Sequence, residues 1–287
     1  EMTSSLVGSE MCIRDSNKNK VLELAENQSS LLSAAKFDQN YNSQYSYIAK
    51  VGYPMGMMYG FIYEGTYKYE DFDKVGDTYT LKRNVPYFSS ESNTQPGMPK
   101  YADLNGDGII DDNDRTMIGN GMPKHTGGFT NNFEYKGFDL SIFFQWSYGN
   151  DVLNANRLFF ENSNKTRDLN QYASYADRWT PENPESNIPR ATDSGSNKVF
   201  STRIIEDGSF LRLKTVSLGY TLPKQLTKKW KIDNARVFVA GQNLWTCTGY
   251  SGYDPEVSIR EGALTPGLDF SAYPRAYSIS FGINLGF

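Results

Sequence analysis

The last eleven residues, YSISFGINLGF, alternate strictly between apolar side chains and small or polar ones. The apolar positions are Tyr277, Ile279, Phe281, Ile283, Leu285 and Phe287. This period of two predicts a β-strand with different chemistry on its two faces. A strand that crosses a membrane needs about 9–11 residues, whereas strands of soluble sandwiches commonly stop after about five or six. The length therefore favours a transmembrane strand over an ordinary half-buried edge strand, which is the alternative.

Several upstream segments also have the composition of strands. In KGFDLSIFFQWSYGN the alternating apolar residues are Phe138, Leu140, Ile142, Phe144 and Trp146. The preceding GGFTNNFEY is expected to pair with this segment as a hairpin that turns at residues 135–137. LRLKTVSLGYTLP places on one face Val216, Leu218, Tyr220 and Leu222. ARVFVAGQNLW is a further strand, and PKQLTKKWKIDN between these two is predicted to be a short basic turn containing one helical turn.

The connections between these strands alternate in length. Counting back from Phe287, they are long, short, long and short, at about residues 247–275, 223–234, 149–209 and 136. Transmembrane barrels have short turns on the periplasmic side and long loops on the outer side. With Phe287 on the periplasmic side, the stretch before the first of these strands is expected to lie among the outer loops.

Composition agrees with a β-protein and excludes several functions. The chain has 20 Tyr and 17 Phe, yet its mean hydropathy is −0.58, which favours β-structure with aromatic surfaces. Its net charge of −4 argues against nucleic acid as a partner. No run of about 18 apolar residues predicts a transmembrane helix. Cys12 and Cys247 form neither a disulfide framework nor a zinc site, and His125 is interpreted as a loop histidine.

The first sixteen residues, EMTSSLVGSEMCIRDS, differ in residue pattern from the rest of the chain. They lack the basic start and apolar stretch of a signal peptide. They are similar to a translated-adapter artefact that recurs in metagenomic assemblies. Residues 1–16 are therefore interpreted as non-native and excluded from the fold prediction, which covers residues 17–287 and expects the native protein to begin further upstream.

The segment YADLNGDGIIDDNDRTMIG has the donor spacing of a calcium-binding loop. Numbered from Asp103, oxygen donors fall at positions 1, 3, 5, 9 and 12, position 7 supplies a backbone carbonyl, and Gly108 at position 6 permits the turn. The predicted Ca²⁺ ligands are Asp103, Asn105, Asp107, Ile109, Asp111 and Asp114. Position 12 is Asp114 instead of the usual Glu, which resembles a dockerin loop. Whether Asp111 binds directly or through water stays open.

The alternative for residues 103–114 is an acidic surface turn, because Asn-Gly and Asp-Gly also form turns readily. Prolines and glycines on both sides, in NTQPGMPKYA and GNGMPKHTGG, exclude the helix pair that a calcium sensor needs. The expected ion therefore braces a loop, and Ile110 at position 8 is expected to pack into a core.

Together these segments resemble the C-terminal part of a SusC/RagA-like TonB-dependent outer-membrane receptor. The pieces that carry the resemblance are VGYPMGMMYGFIYEGTY, DLNGDGIIDDNDRTMIGN, FDLSIFFQWSYGNDVLN, RWTPENP, SFLRLKTVSLGYTLP, VFVAGQNLWTCTGYSGYDPEV and the closing strand. The resemblance covers nearly all of the chain after Asn17. A terminal aromatic preceded by alternating apolar residues, Tyr277 to Phe287, resembles the signal read by the barrel assembly machinery.

The resemblance implies an all-β fold, with the strands of this chain forming part of a 22-stranded antiparallel transmembrane β-barrel with long extracellular loops. It implies a location in the outer membrane of a Gram-negative bacterium, among outer-membrane lipid. It also implies import of glycans, oligosaccharides or peptides with a SusD-like surface lipoprotein, powered by TonB–ExbB–ExbD through a part of the receptor missing here. About six strands are expected in this fragment, because 287 residues cannot hold 22 strands.

Within this interpretation, aromatic residues from NRLFFEN and TGYSGYDPEV are candidates for ligand contact, although such rings also form interfacial girdles. A competing interpretation is a secreted, calcium-stabilised β-sandwich, either an adhesin or a carbohydrate-binding module. An enzyme is not predicted. Glycoside hydrolysis needs two carboxylates about 5–10 Å apart, and Glu206 and Asp207 are adjacent, so that on a strand they face opposite sides.

Overall fold

The computed structural model describes residues 7–25, 27–39, 41–162, 170–191, 199–259 and 262–287. Two short α-helices lie in these ranges, α1 (Asn156–Phe160) and α2 (Lys224–Thr227). Short 3-10 turns occur at Tyr69–Asp71, Glu91–Asn93, Asp112–Asp114, Ala173–Asp177, Thr202–Ile204 and Lys228–Trp230. Within the described ranges, no helix is both long and apolar enough to span a membrane.

Most of the regular structure is β-strand, as the aromatic and β-branched composition predicts. In chain order the strands are β1 (Val7–Ser16), β2 (Ser30–Ala34), β3 (Tyr45–Lys50), β4 (Met57–Gly60), β5 (Tyr63–Thr66), β6 (Phe72–Val75), β7 (Thr78–Leu81), β8 (Tyr87–Phe88), β9 (Pro99–Tyr101), β10 (Ile109–Ile110), β11 (Thr116–Asn120), β12 (His125–Tyr135), β13 (Phe138–Tyr148), β14 (Asp151–Asn154), β15 (Ile205–Asp207), β16 (Phe210–Thr221), β17 (Asn234–Thr248), β18 (Leu268–Asp269) and β19 (Ser278–Gly286).

The longest strands form one antiparallel sheet in the order β1-β12-β13-β16-β17-β19. The expected hairpin joins β12 to β13 through Lys136 and Gly137, whose φ angles of 48° and 87° are those of a type I′ turn. The basic connection between β16 and β17 contains α2 and the following 3-10 turn, as predicted. Strand β19 begins one residue after Tyr277 and ends one residue before Phe287, so the terminal prediction is confirmed within normal boundary error.

One face of this sheet is apolar across its strands. Directly opposed residues share a face, and one row across the sheet runs through Tyr135, Phe138, Tyr220, Val237 and Ile283. The apolar residues of β19 are exposed, with Phe281 82% accessible. From Phe138 to Trp146 this face extends about 27 Å along the strand, or about 21 Å of height at a tilt of about 40°. That height is close to the lipid-facing band of a membrane barrel.

The opposite face is mostly polar, with Phe143 and Phe238 among its polar side chains, and it matches the interior of a barrel. Asp139 and Arg236 form an ion pair on this face, across the backbone of Gly219. A Cβ atom at Gly219 would collide with both charged groups, so glycine leaves the room that the ion pair needs. The alternation predicted for β13 is confirmed, with Phe143 as the one aromatic residue of this strand on the mostly polar face.

A β-bulge at Lys214 changes which residues of β16 face outward. Phe143 pairs with Thr215 and Phe144 pairs with Leu213, so Lys214 is the extra residue on β16. Without the bulge, Arg212 would share the apolar face with Val216. With it, Leu211 and Leu213 join the apolar face, and Arg212 turns inward.

The buried core lies beyond the long-connection end of this sheet. There a four-stranded sheet, β11-β4-β3-β2, packs beside a three-stranded sheet, β15-β14-β18. The largest buried cluster draws on residues before β12 and on both long connections: Ala35, Tyr41, Tyr47, Met58, Leu153, Ala155, Leu158, Phe200, Ile204 and Leu268. The described residues within 17–124, 149–209 and 249–277 therefore form one packed layer, called here the outer layer.

Residues 7–16, which the fold prediction excluded, form the edge strand β1 beside β12. The fold prediction did not include this strand, and residues 1–6 lie outside the described residues. The register places Ile13 on the polar face and Arg14 on the apolar face, the reverse of the pattern in β13. An unpaired β12 edge would pair with any extended segment. The pairing of β1 therefore does not test whether residues 1–16 are native, and their non-native origin stays a prediction.

We expect Gly219→Val to destabilise the sheet by about 1–3 kcal/mol, because the added side chain displaces the Asp139–Arg236 pair. The matched control is Gly249→Val, since a Cβ at Gly249 meets no atom within 4 Å. Thermal unfolding of the full receptor carrying each change measures the effect. Equal melting temperatures for the two variants would contradict the packing described here.

Candidate ligand-binding cleft of the outer layer

The outer layer contains two adjoining cavities of about 510 and 590 Å³ that share Tyr172 and Tyr253. The first is lined mainly by aromatic and amide side chains: Asn156, Phe160, Asn170, Gln171, Tyr172, Tyr253 and Tyr273. Tyr253 and Tyr273 are 85% and 90% exposed, so their rings stand free in solvent. Together the two cavities form one open cleft, called here the outer cleft.

Strand β14 holds the outer cleft together. Its Leu153 pairs with Ile205 of β15 on one side and with Leu268 of β18 on the other. After β14, Asn156 accepts a hydrogen bond from the Ser271 backbone N–H at 2.7 Å. The connections 149–209 and 249–277 are thereby fixed to each other. The residues that line the cleft come from both.

The charged groups of the second cavity are already paired. Glu161 is 4% exposed and accepts hydrogen bonds from Arg157 at 3.0 Å and Arg203 at 2.7 Å. Glu206 accepts hydrogen bonds from the Asn154 side chain at 3.0 Å and the Ser251 backbone at 2.9 Å. The first cavity has one carboxylate in its lining, Asp269, which accepts a hydrogen bond from Tyr250, so aromatic rings and amides are its main groups for binding a ligand.

A further polar contact, between Tyr250 and Asp269, lies at the wall of the first cavity, which Asp269 helps to line. The Tyr250 hydroxyl donates a hydrogen bond of 2.5 Å to Asp269. Burial, and next this hydrogen bond, raise the pKa of Tyr250 well above its usual value. The hydroxyl therefore stays protonated at any physiological pH and acts as a fixed donor.

A charged cluster joins the last long connection to the inner face of β16. Arg212 is 2% exposed and contacts Asp254 at 2.5 Å, and Glu256 bridges Arg212 at 3.3 Å and Arg275 at 2.9 Å. Burial alone would raise the pKa of Asp254. Hydrogen bonds from Arg212 and from the backbone N–H groups of Glu256 and Arg275 outweigh burial and hold this pKa below its usual value.

The loop 103–114 is closed by hydrogen bonds between its acidic side chains and its own backbone. Asp114 is fully buried, and its carboxylate accepts from the backbone N–H groups of Leu104 at 2.8 Å, Asn105 at 3.3 Å and Asp111 at 2.8 Å. Asp103 accepts from Gly106 and Gly108. In the part of the chain that is described, no group of three or more His, Cys, Asp or Glu side chains gathers to hold a metal ion.

The loop 103–114 is flanked by strands and packs one apolar residue into a core. It runs from β9 through β10 to β11, with strands where a calcium sensor has helices. Ile110 is 1% exposed and packs with Phe61 and Tyr101, as position 8 predicts. Calcium itself, with Asp107, Ile109 and the other ligands, stays a prediction.

Other candidate residues divide between the core and the cleft. Of the expected aromatics, Phe160 and Tyr253 line the cleft, whereas Phe159 packs on Phe37 and Phe270 in the core. Tyr172 and Tyr273 were missed, because neither lies in a periodic segment. His125 was wrongly assigned to a loop. It is the first residue of β12, accepts a hydrogen bond from Trp146 at 3.2 Å and stacks on Tyr148.

Comparison with known proteins identifies the family. No family model matches the chain. A TonB-dependent receptor of Formosa agariphila, P3, is 33% identical over 278 residues, which is 94% of this chain and 26% of that receptor. Receptor P26 of the same organism is 39% identical over 67% of the chain. The chain belongs to the TonB-dependent receptor family.

The SusC receptor of Bacteroides thetaiotaomicron is 28% identical over 69% of the chain. In fold, the chain is similar to a structure of the RagAB peptide transporter, with a TM-score of 0.73 and 23% identity over the whole chain and 28% of that protein. The chain thus spans about a quarter of the length of the first relatives. The resemblance to SusC/RagA-like receptors, the partial antiparallel barrel fold and the location in the Gram-negative outer membrane are confirmed.

We expect the Arg212–Asp254 contact to hold the last long connection at pH 5 to 8 and to weaken only below about pH 3.9, the ordinary pKa of Asp, because the pKa of Asp254 in the fold lies lower still. A carboxylate whose folded pKa is depressed stabilises the fold above its unfolded pKa, and this stabilisation is lost as pH falls through the folded pKa. Hydrogen exchange of residues 249–259, corrected for intrinsic rates, measures the release.

The Asp254→Asn variant should show weak protection already at pH 7, and its protection should vary little with pH. Asp207→Asn is the matched control, since Asp207 is exposed and accepts a hydrogen bond from Ser209 next to it. Full protection of residues 249–259 in the Asp254→Asn variant would show that the contact does not hold the connection.

Proposed function

We propose that this chain forms part of the wall and outer layer of a receptor that imports glycans, oligosaccharides or peptides across the outer membrane. The observation that carries the proposal is the arrangement of the large sheet, with an apolar outer face, a polar inner face and its long connections packed at one end. That arrangement suits a barrel that captures ligand outside and passes it inward. The structural relative RagAB is described as a peptide transporter.

The closing strand supports a C-terminal position in the whole receptor. Residues Tyr277 to Phe287 would then serve as the signal for the barrel assembly machinery. Proposed partners of the whole receptor are a SusD-like surface lipoprotein above the outer layer and TonB–ExbB–ExbD, which would act through the remainder of the receptor. The exposed apolar face counts against a secreted sandwich, in which a second sheet would cover that face.

The outer cleft is the proposed ligand-contacting surface of this chain. Exposed Tyr253 and Tyr273 offer flat rings that stack on a sugar ring or a peptide side chain. Asn156, Asn170 and Gln171 can both donate and accept hydrogen bonds. Because the carboxylates of the neighbouring cavity are paired, the cleft favours uncharged parts of a ligand.

We expect Tyr253→Ala combined with Tyr273→Ala in the full receptor to weaken ligand binding about tenfold or more, through the loss of two aromatic contacts. Because both rings are exposed, the melting temperature should change little. Calorimetry with a panel of neutral oligosaccharides and peptides measures binding. The control is Tyr45→Ala, which removes a half-exposed ring of the outer layer that does not line the cleft.

If the control and the double variant bind equally well, ligand contact lies elsewhere on the receptor. If neither the wild-type receptor nor either variant binds any panel member or supports uptake, the import function itself fails.

A calcium ion in loop 103–114 is a further part of this proposal. A carboxylate has about four acceptor sites, so the hydrogen bonds to the backbone leave capacity for a cation. The contact of Asp103 with the Gly108 N–H, 2.8 Å long, also draws positions 1 and 6 of the loop together.

We expect Asp107→Ala to lower calcium affinity about tenfold or more and to raise protease sensitivity of the loop, while the large sheet stays intact. Asp112→Ala is the control, because Asp112 lies in the same loop but outside the ligand positions and is exposed. Calorimetric titration of the full receptor with calcium measures affinity. Equal calcium binding by both variants, or none by the wild type, would remove the ion from the proposal.

A further inference from the structure

The connection between β16 and β17 concentrates positive charge in a chain that is negative overall. Residues 222–233, called here the basic turn, contain four lysines, Lys224, Lys228, Lys229 and Lys231, and one acidic residue, Asp233, whereas the whole chain carries −4. All four lysines are exposed. Lys136, in the neighbouring short turn, adds a fifth exposed lysine at the same end of the sheet.

The basic turn also exposes two apolar side chains. Helix α2 and the following 3-10 turn run without a break from residue 224 to residue 230. Thr227 faces inward and is 1% exposed, while Leu226 and Trp230 are 47% and 63% exposed. Residues four apart lie on the same side of a helical turn. The basic turn therefore presents Leu226 and Trp230 together, flanked by ammonium groups.

The sheet indicates the depth at which the basic turn lies. Three aromatic residues, Tyr135, Phe138 and Tyr220, line the lipid-facing side near this end, and the rings of Phe138 and Tyr220 are 4.5 Å apart. Aromatic rows of this kind mark the boundary between hydrocarbon and headgroups. Val237 belongs to the same row. Strand β17 begins three residues before it, at Asn234, which lies about 10 Å from the row in the direction of the basic turn.

We propose that the basic turn binds the headgroups of anionic phospholipids in the leaflet at the short-turn end of the barrel. The lysines match the phosphate charge, and Trp230 and Leu226 suit the apolar edge of the headgroup layer. The acidic side chains nearest in sequence to these lysines are Asp233 and Glu134, and Asp139 is paired with Arg236, so positive charge prevails. The proposal rests on the proposed import function, in which the long connections lie outside and the short turns lie at the opposite, periplasmic end.

The experiment uses the full receptor in neutral detergent micelles titrated with phosphatidylglycerol or phosphatidylcholine, with bound lipid counted by native mass spectrometry. We expect the wild type to retain phosphatidylglycerol in preference to phosphatidylcholine. The variant K224Q/K228Q/K229Q/K231Q should need at least about tenfold more phosphatidylglycerol for the same occupancy. Trp230→Ala should weaken retention without any change of charge.

The matched control is K18Q/K20Q/K50Q/K74Q, which removes four exposed lysines from the outer layer. It should retain phosphatidylglycerol as the wild type does. Equal retention by the basic-turn variant would overturn the proposal. So would full displacement by millimolar inorganic phosphate, which would indicate a simple anion site, or capture of an acidic periplasmic protein with no lipid preference.

Lipid retention is measured without transport. A receptor that retains phosphatidylglycerol but imports nothing would contradict the proposed import function. It would not contradict the proposed binding of anionic lipid by the basic turn.

Discussion

Backbone hydrogen bonding between β13, β16 and β17 is the constraint on which the rest of the structure depends. In hydrocarbon each N–H and C=O group must find a partner within the protein, and neighbouring strands supply it. Once the backbone is satisfied, side chains can present lipid-compatible groups on one face and polar groups on the other. The large sheet therefore needs no apolar core of its own. Apolar burial is concentrated in the outer layer, around Leu153 and Phe200.

The outer layer is in turn oriented by contacts to the sheet. Arg212 turns inward because of the bulge at Lys214, and there it meets Asp254 of the last long connection. A buried ion pair adds little net stability compared with an apolar contact, but removal of one partner is costly because the other charge remains buried. The pair therefore specifies where the connection lies more than it stabilises the fold.

Sequence periodicity predicted the long strands β13 and β19 and the hairpin at Lys136, because a strand of nine or more residues repeats its pattern several times. It did not predict the bulge at Lys214, where one extra residue reverses which side chains face outward. The short outer-layer strands, such as β8 and β10, were missed because two residues carry no periodicity. For the same reason Tyr172 and Tyr273 could not be placed in the outer cleft, which tertiary packing alone assembles.

Strand β14 has a mechanical consequence. Because Leu153 pairs with Ile205 on one side and with Leu268 on the other, the connections 149–209 and 249–277 share one hydrogen-bonded sheet. Gly149 and Gly249 follow directly after the wall strands β13 and β17, at the roots of those connections. A load on either connection is therefore shared by the other. Force applied at the rim would therefore reach both sides of the outer cleft at once.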